Sequence, residues 1–126
     1  MTRILVCDDD AMISEALQEV LEAEADLTVV AVARTAPEAV ELAERHSPDV
    51  VVLDVRMPGG GGVHVARELR HRRPEIRVMV FSAHADPATI VEMRHTGVTE
   101  YLVKGVPNAE IVDTVRRLGR GPFGEL

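Results

Sequence analysis

The sequence predicts an α/β fold in which a five-stranded parallel sheet, of strand order 2-1-3-4-5, is covered by helices on both faces. Five short runs of Val, Leu, Ile and Ala recur along the chain. They are continuous rather than alternating, which is typical of strands buried on both faces of a parallel sheet. A helical pattern follows each run, and the runs start roughly 25 residues apart, the spacing of βαβ units. Right-handed crossover connections then place helices on both faces.

The first half of the chain holds three predicted strands and two predicted helices. The runs ILVC, LTVVAVA and VVVLD predict strands over residues 4–7, 27–33 and 50–54. Residues 11–24 repeat apolar side chains at helical spacing, on a face made of Ile13, Ala16, Leu17, Val20 and Leu21. The helix over 35–46 is predicted by its start, because Thr35 is a candidate N-cap and Glu38 completes a capping-box pattern.

The second half repeats the alternation of strand and helix and ends in a tail. The runs VMVFS and EYLV predict strands over residues 78–82 and 100–103. The three remaining helices are predicted over residues 63–72, 86–97 and 108–119. Asp86 is the candidate cap of the second of these, and Pro87 is its first residue. We expect one domain over residues 1–118, followed by an aperiodic, glycine-rich tail or linker over 119–126.

Composition limits the classes of function. With 126 residues, 46% of them hydrophobic and 28% charged, the chain predicts one globular domain. The net charge of −7 argues against direct binding to nucleic acid. No apolar run is long enough to cross a membrane, no signal peptide is evident, and the lone Cys7 fits a reducing compartment. We therefore expect a cytoplasmic protein without membrane contact.

Polar residues end or follow four of the five predicted strands. Asp8 and Asp9 follow the first strand, Asp54 ends the third, Ser82 ends the fourth and Lys104 follows the fifth. Because ligands of open parallel sheets bind beyond the carboxyl ends of the strands, we expect these side chains to converge there. Lys104 is the only lysine among 14 basic residues, which favours a position where a compact ammonium is needed rather than a planar guanidinium.

These groups are suited to phosphoryl transfer. Clustered carboxylates with room for water are the ligands that Mg²⁺ prefers. A hydroxyl and an ammonium opposite them would bind phosphoryl oxygens, and a carboxylate can itself be the nucleophile. Asp54 is the candidate nucleophile because of its central position, with Lys104 and Ser82 on the phosphoryl oxygens. Asp10 is interpreted as a residue that only complements the dipole of the first helix.

The motifs ILVCDDD, DVVVLDVRMPGGGG, VMVFSAH and EYLVKG resemble the receiver domain of bacterial two-component response regulators, over residues 2–118. The resemblance implies a flavodoxin-like (βα)5 fold. It also implies that a sensor histidine kinase, or a small phosphodonor, transfers a phosphoryl group to Asp54. The implied Mg²⁺ ligands are Asp9 and Asp54 directly, Asp8 through water, and the backbone carbonyl of Arg56.

The same resemblance implies a switch. Ser82 would be the hydroxyl that is drawn to the phosphoryl group, and Tyr101 the aromatic side chain that swings inward with it. The face formed by the fourth helix, the fifth strand and the fifth helix would then control an output domain or downstream protein. Transcription regulation and a homodimer formed on phosphorylation are further expectations. Apart from self-phosphorylation and autodephosphorylation on Asp54, we expect no turnover of a substrate.

The sequence departs from the commoner receiver pattern at two positions. MPGGGG stands at residues 57–62 where MPGMDG is usual, so the loop after Asp54 is nearly free of side chains, which favours mobility. Gly105 follows Lys104 where many receivers have proline, which leaves open how the lysine is held. The alternative function is a receiver-like module that binds its partner without phosphorylation.

Two further readings are weaker. A haloacid-dehalogenase-like phosphatase also uses an aspartyl nucleophile, but it needs a second aspartate two residues later, where this chain has Arg56. A flavin or nucleotide binder needs a glycine-rich turn after the first strand. Three aspartates stand there instead, and they would repel a phosphate that no metal bridges.

Overall fold

Strands and helices alternate along the chain, as the sequence predicts. The computed structural model describes residues 1–83 and 86–120, so most of the predicted tail, residues 121–126, lies outside the described residues. The elements are β1 (Thr2–Cys7), α1 (Ala11–Glu22), β2 (Leu27–Ala33), α2 (Ala36–His46), β3 (Val50–Leu53), α3 (Gly61–Arg72), β4 (Arg77–Ser82), α4 (Pro87–His95), β5 (Glu100–Val103) and α5 (Asn108–Gly119). Within the described part of the chain, no helix has the length and apolar character needed to cross a bilayer.

The five strands form one parallel sheet of order β2-β1-β3-β4-β5, which confirms the predicted order. Cys7 at the end of β1 is paired with Leu53 at the end of β3, so the residues that follow these strands leave the sheet side by side. Ser82 at the end of β4 is paired in the same way with Val103 at the end of β5. We call this side of the sheet the carboxyl edge, and the side where the strands begin the amino edge.

Alternate residues of the central strands point to opposite faces and build two apolar cores. Leu5 and Val51 belong to the core that also includes residues of α2, α3 and α4. Ile4 and Val52, their neighbours along the strands, belong to the core with α1 and α5. Cys7 is 1% exposed, and burial raises the pKa of its thiol, so it packs as a small apolar residue, as predicted. The sheet is therefore covered on both faces.

The buried face of α1 differs from the prediction at one position. Leu17 and Leu21 are buried as predicted, but Ala16 is exposed and Ser14 is buried instead. Ser14 Oγ donates a hydrogen bond to the carbonyl of Ala11 at 3.0 Å, which satisfies the hydroxyl within the helix. A small polar residue can therefore fill a buried helix position that the apolar pattern assigns to a neighbour.

The helix caps follow the sequence with one change. Thr35 Oγ1 accepts a hydrogen bond from the N–H of Glu38 at 3.2 Å, as in a capping box. The Glu38 carboxylate, however, accepts from the N–H of Arg34 at 2.7 Å rather than from that of the cap residue. Asp10 caps α1, where its carboxylate accepts two backbone N–H groups of the first turn, in agreement with its interpretation as a helix-end residue.

Arg116 of α5 ties the last helix to the loop between α1 and β2. Its Nε and Nη2 each donate to the Asp26 carboxylate at 2.7 Å, and Nη2 also donates to Glu24 at 2.9 Å. The hydrogen bonds from Arg116 lower the pKa of Asp26 to about 2, from its ordinary value of 3.8. Because the Asp26 side chain is exposed, solvent screens this pair and its contribution to stability is modest.

We predict that Asp26 makes the stability of the domain depend on pH below about pH 4. A carboxyl whose pKa is lowered by folding stabilises the fold above its unfolded pKa, and this effect is lost as the pH falls through the folded pKa. Asp26→Asn should therefore lower the free energy of unfolding at pH 7. The difference between the native chain and the variant should shrink as the pH falls below about 4 and disappear below about pH 2. Urea unfolding across this range measures it, with the exposed Glu22→Gln as control. A deficit that is constant with pH contradicts the prediction.

Candidate functional site

Lys104 bridges two buried carboxylates at the carboxyl edge. Its Nζ donates to Asp8 Oδ2 at 2.8 Å and to Asp54 Oδ2 at 3.2 Å. Asp8 is 1% exposed and Asp54 is 7% exposed, while the lysine side chain is 16% exposed. The residues that directly follow β1, β3 and β5 thus meet in one pocket, although they are far apart in the chain.

Asp9 adds a third carboxylate to this pocket. One oxygen each from Asp8, Asp9 and Asp54 can be chosen so that all three lie within 4.8 Å of one another, and Asp9 is the exposed member. Three carboxylates against one ammonium leave about two negative charges uncompensated. Because Asp8 and Asp54 are buried and Asp9 is exposed, about one of these charges lies in the buried part of the pocket, where unpaired charge is costly. A divalent cation with oxygen preference would neutralise them, so the donor set is suited to Mg²⁺.

The backbone orients both buried carboxylates. Asp8 Oδ1 accepts a hydrogen bond from the N–H of Asp10 at 2.9 Å. Asp54 Oδ1 accepts one from the N–H of Arg56 at 3.3 Å, and the Asp54 N–H donates to the carbonyl of Cys7 at 2.9 Å. Each carboxylate therefore has one oxygen held by the backbone and one on Lys104. The side chain of Arg56 is exposed.

The structure answers how Lys104 is held without a following proline. Its N–H donates to the carbonyl of Ser82 at 2.8 Å, and Gly105 turns the chain with a φ of +107°, which glycine adopts readily. Burial alone would lower the pKa of Lys104, but the hydrogen bond to Asp8 and the charge of Asp54 raise it above its ordinary value. The side chain is therefore an ammonium at neutral pH.

Backbone hydrogen bonds also hold the glycine run after Asp54. The N–H of Gly62 donates to the carbonyl of Val55 at 2.7 Å, and the N–H of Gly61 to that of Met57 at 2.9 Å. A Cβ at position 62 would lie 2.5 Å from the carbonyl oxygen of Asp54, so glycine is required there. These contacts start α3 at Gly61, two residues before the predicted start, and bring the helix directly against the loop that follows Asp54.

Ser82 and Tyr101 lie together beside the acidic pocket. Ser82 is buried at the end of β4, and Tyr101 is partly exposed. Burial raises the pKa of Tyr101, the hydrogen bond with Ser82 opposes this, and the charges of Asp86 and Asp54 add to the rise. A cleft of about 240 Å³ adjoins them, and it is also lined by Asp86 and Thr89, which are hydrogen-bonded to each other at 2.9 Å.

Sequence reasoning found the polar ends of the strands but not every residue around them. It did not place Asp86 and Thr89 at the site, because their approach to Tyr101 depends on how α4 packs. Asp86 gave a signal only as a helix cap. The structure brings together four predicted site residues, Asp8, Asp9, Asp54 and Lys104, with Ser82 and Tyr101 next to them. The role of each remains a prediction.

A parallel sheet of order β2-β1-β3-β4-β5 with helices on both faces is the flavodoxin-like α/β fold, and acidic groups and a lysine lie at its carboxyl edge, where ligands of this class bind. The chain belongs to the response regulator receiver domain family, whose model matches residues 4–116. This confirms the resemblance inferred from the motifs.

Similar proteins agree with this assignment. The chain is 32% identical over 119 residues to the transcriptional regulatory protein DegU of Brevibacillus brevis, covering 94% of this chain and 50% of that protein. The signal receiver domain of the putative response regulator NarL from Mycobacterium tuberculosis is 34% identical, with a TM-score of 0.90 and coverage of 95% and 97%. A LuxR-family response regulator from Aurantimonas is 30% identical, with a TM-score of 0.90 and coverage of 96% and 86%. The chain spans about half the length of the curated relatives it matches.

We predict that Lys104→Met destabilises the domain at neutral pH in the absence of divalent cations. The change leaves Asp8 and Asp54 buried side by side without their ammonium, and breaking a buried pair costs about 3 kcal/mol or more. Urea unfolding in EDTA measures the loss. Adding Asp8→Asn to the variant should restore much of the stability, because one of the unpaired charges is then gone.

The matched control for this prediction is Arg45→Met, which breaks the exposed pair of Arg45 with Glu41 on α2. Exposed pairs of this kind contribute about 0.3 to 0.5 kcal/mol, so this variant should be nearly as stable as the native chain. Equal losses in the two variants would contradict the view that Lys104 compensates buried charge.

Proposed function

We propose that this domain is a phosphorylation-driven switch that accepts a phosphoryl group on Asp54 in two-component signal transduction. The observation that supports it most directly is the contact of the Asp54 carboxylate with Lys104, at 3.2 Å, beside two further aspartates. The proposed nucleophile, the Lys104 ammonium and the carboxylates proposed to bind a metal therefore share one pocket at the carboxyl edge. Membership of the receiver family supplies the class of reaction.

In the proposed reaction, a carboxylate oxygen of Asp54 attacks the phosphorus of a phosphohistidine on a sensor kinase, or of a small donor such as acetyl phosphate. The new oxygen–phosphorus bond forms as the phosphorus–nitrogen bond of the phosphohistidine breaks. The departing imidazole keeps the bonding electron pair and takes up a proton. The product is an acyl phosphate on Asp54, which water later hydrolyses to the carboxylate and inorganic phosphate.

The residues around Asp54 are placed to bind the transferred group. The ammonium of Lys104, 3.2 Å from the acceptor carboxylate, would donate to one phosphoryl oxygen. The hydroxyl of Ser82 would donate to another, since Ser82 ends β4 next to the strand that carries the acceptor. The ammonium of Lys104 is already held beside Asp54 before the reaction, and donors placed in advance stabilise the charge that develops in a transition state at low cost.

The acidic cluster supports Mg²⁺ as the resident ion. Asp9 and Asp54 would hold it directly, Asp8 through water, and the backbone carbonyl of Arg56 would complete the protein ligands. When bound, Mg²⁺ supplies positive charge to the phosphoryl oxygens. Asp8 suits an indirect role because it is the more buried of the two inner carboxylates, and its hydrogen bonds, at 2.9 and 2.8 Å, are shorter than those of Asp54, at 3.3 and 3.2 Å.

Ser82 and Tyr101 are the proposed switch residues. Movement of the Ser82 hydroxyl toward a phosphoryl group would change its hydrogen bond with Tyr101, and Tyr101 borders the cleft beneath α4. The face formed by α4, β5 and α5 would then change its surface. Val91 and Val103, which are 52% and 38% exposed, lie on this face and offer apolar contact to a partner.

The partners follow from the family and from these surfaces. We propose a sensor histidine kinase as phosphodonor, and an output domain or downstream protein as the receiver of the signal. The similarity to transcriptional regulators, of which this chain spans about half, supports an output in transcription regulation. Cytoplasmic location and a homodimer formed on phosphorylation belong to the same proposal.

We predict that Asp54→Asn abolishes Mg²⁺-dependent labelling of the domain by acetyl phosphate, because the amide cannot act as the nucleophile. Phosphate-affinity electrophoresis or intact-mass measurement detects the product. Asp10→Asn is the matched control, since Asn is an equally good helix cap and Asp10 lies at the same edge, so labelling should persist. Labelling that survives in Asp54→Asn would place the acceptor elsewhere. No labelling of the native chain would favour the module that acts without phosphorylation.

We also predict that Ser82→Ala weakens the response of α4 and β5 to a phosphoryl mimic. With beryllium fluoride and Mg²⁺, amide NMR shifts of α4 and β5 should change in the native chain, and these shifts should be reduced by at least half in the variant. Ser14→Ala, a second buried serine on the far side of the sheet, is the matched control and should respond like the native chain. An unchanged response in Ser82→Ala would remove this residue from the switch.

A further inference from the structure

A groove between α3 and α4 gathers arginines at the amino edge of the sheet, away from the acidic pocket. Two cavities of about 390 and 290 Å³ adjoin there, and both are lined by Arg70 and Thr96. Arg77 lines the larger cavity, and Arg67 and His95 line the smaller one. We call this surface the α3–α4 groove. It is unexpected in a chain whose net charge is −7.

The arginines of the groove lack acidic partners among the described residues. No hydrogen bond or ion pair joins the side chains of Arg67, Arg70 or Arg77 to residues in the described ranges. Nearby carboxylates are engaged by other arginines, in the pairs Glu68–Arg72, Glu75–Arg73 and Glu100–Arg117. Glu92 is the only acidic residue that lines either cavity.

The turn after α4 forms one wall of the groove and lies against Arg70. Gly97 has a φ of +92°, and a Cβ at this position would overlap Nη1 of Arg70, so the guanidinium lies directly against the backbone of the turn after α4. The same turn is fixed by Thr96 Oγ1, which donates to the carbonyl of Met93 at 2.6 Å. Arg70 lines both cavities, and its guanidinium lies against Gly97, whose φ of +92° residues with a side chain rarely adopt.

Helix ends explain part of this charge but not all of it. Basic residues stabilise helix C-termini, and both α3 and α4 end beside the groove. Each end carries about half a negative charge, so the two together offset about one positive charge. Glu92 offsets a second. The three arginines therefore leave about one positive charge without compensation. His71 and His95, which line the smaller cavity, are not included in this count.

We propose that the α3–α4 groove binds a small polyanion that carries two phosphate or carboxylate groups, with Arg70 shared between them. The two cavities have the dimensions of small-molecule sites, roughly 300 to 1,000 Å³ together. Guanidinium groups bind phosphate and carboxylate alike through paired hydrogen bonds. The site is separate from Asp54, because β4 runs from Arg77 at the groove to Ser82 at the acidic pocket.

The test is titration of the domain with pyrophosphate and, separately, with malonate. It is done by calorimetry in EDTA at low salt, without a phosphodonor, so its outcome is independent of the chemistry at Asp54. Binding of pyrophosphate alone assigns a phosphate ligand, and binding of malonate alone assigns a carboxylate ligand. No saturable binding of either anion up to about 10 mM, a dissociation constant that corresponds to about 2.7 kcal/mol of binding free energy, overturns the proposal.

Arg70→Gln should weaken binding by about tenfold or more, since hydrogen bonds to charged groups are among the strongest. Arg67→Gln is an independent second variant on the same groove. Arg45→Gln on α2 removes the same charge outside it, and should leave binding within about twofold. Amide NMR shifts should map to Thr96 and Gly97. Equal weakening by Arg70→Gln and Arg45→Gln, or shifts confined to the carboxyl edge, would overturn the proposal.

Discussion

An excess of negative charge, held at the carboxyl edge of the sheet, is the constraint on which the rest of this structure depends. Asp8 and Asp54 are buried against each other, and Lys104 is the cation that makes this arrangement tolerable. A lysine provides less charge than three carboxylates require. The folded domain therefore keeps an excess of negative charge at this edge, which makes the pocket suited to a divalent cation.

The scaffold is built to hold that charge in place. Parallel pairing puts the ends of β1 and β3 side by side, so the two carboxylates cannot separate without breaking the central ladder. Backbone N–H groups of Asp10 and Arg56 then fix one oxygen of each carboxylate. The apolar cores on both faces anchor the strands that lead into the pocket.

Much of this arrangement could be predicted from sequence, for reasons that particular residues make clear. Continuous apolar runs identified the strands, and the polar residues at the ends of four of these runs identified the edge where Asp54, Ser82 and Lys104 lie. The apolar pattern of α1 predicted a buried Ala16, but Ser14 is buried instead, because its hydroxyl is satisfied by a hydrogen bond to the carbonyl of Ala11 within the helix. The α3–α4 groove gave no signal, because its arginines are scattered in sequence and meet only through the packing of two helices. The contact of Gly97 with Arg70 is of the same kind.

The single lysine has a consequence for the chemistry of the whole chain. Apart from the amino terminus, the only primary amine in this 126-residue chain is that of Lys104 at the acidic pocket. That amine is protonated and hydrogen-bonded. Because acylation requires a free, unprotonated amine, Lys104 should react with an acylating reagent more slowly than the amino terminus does. The rate of acylation of Lys104 therefore indicates whether its ion pairs with Asp8 and Asp54 are intact.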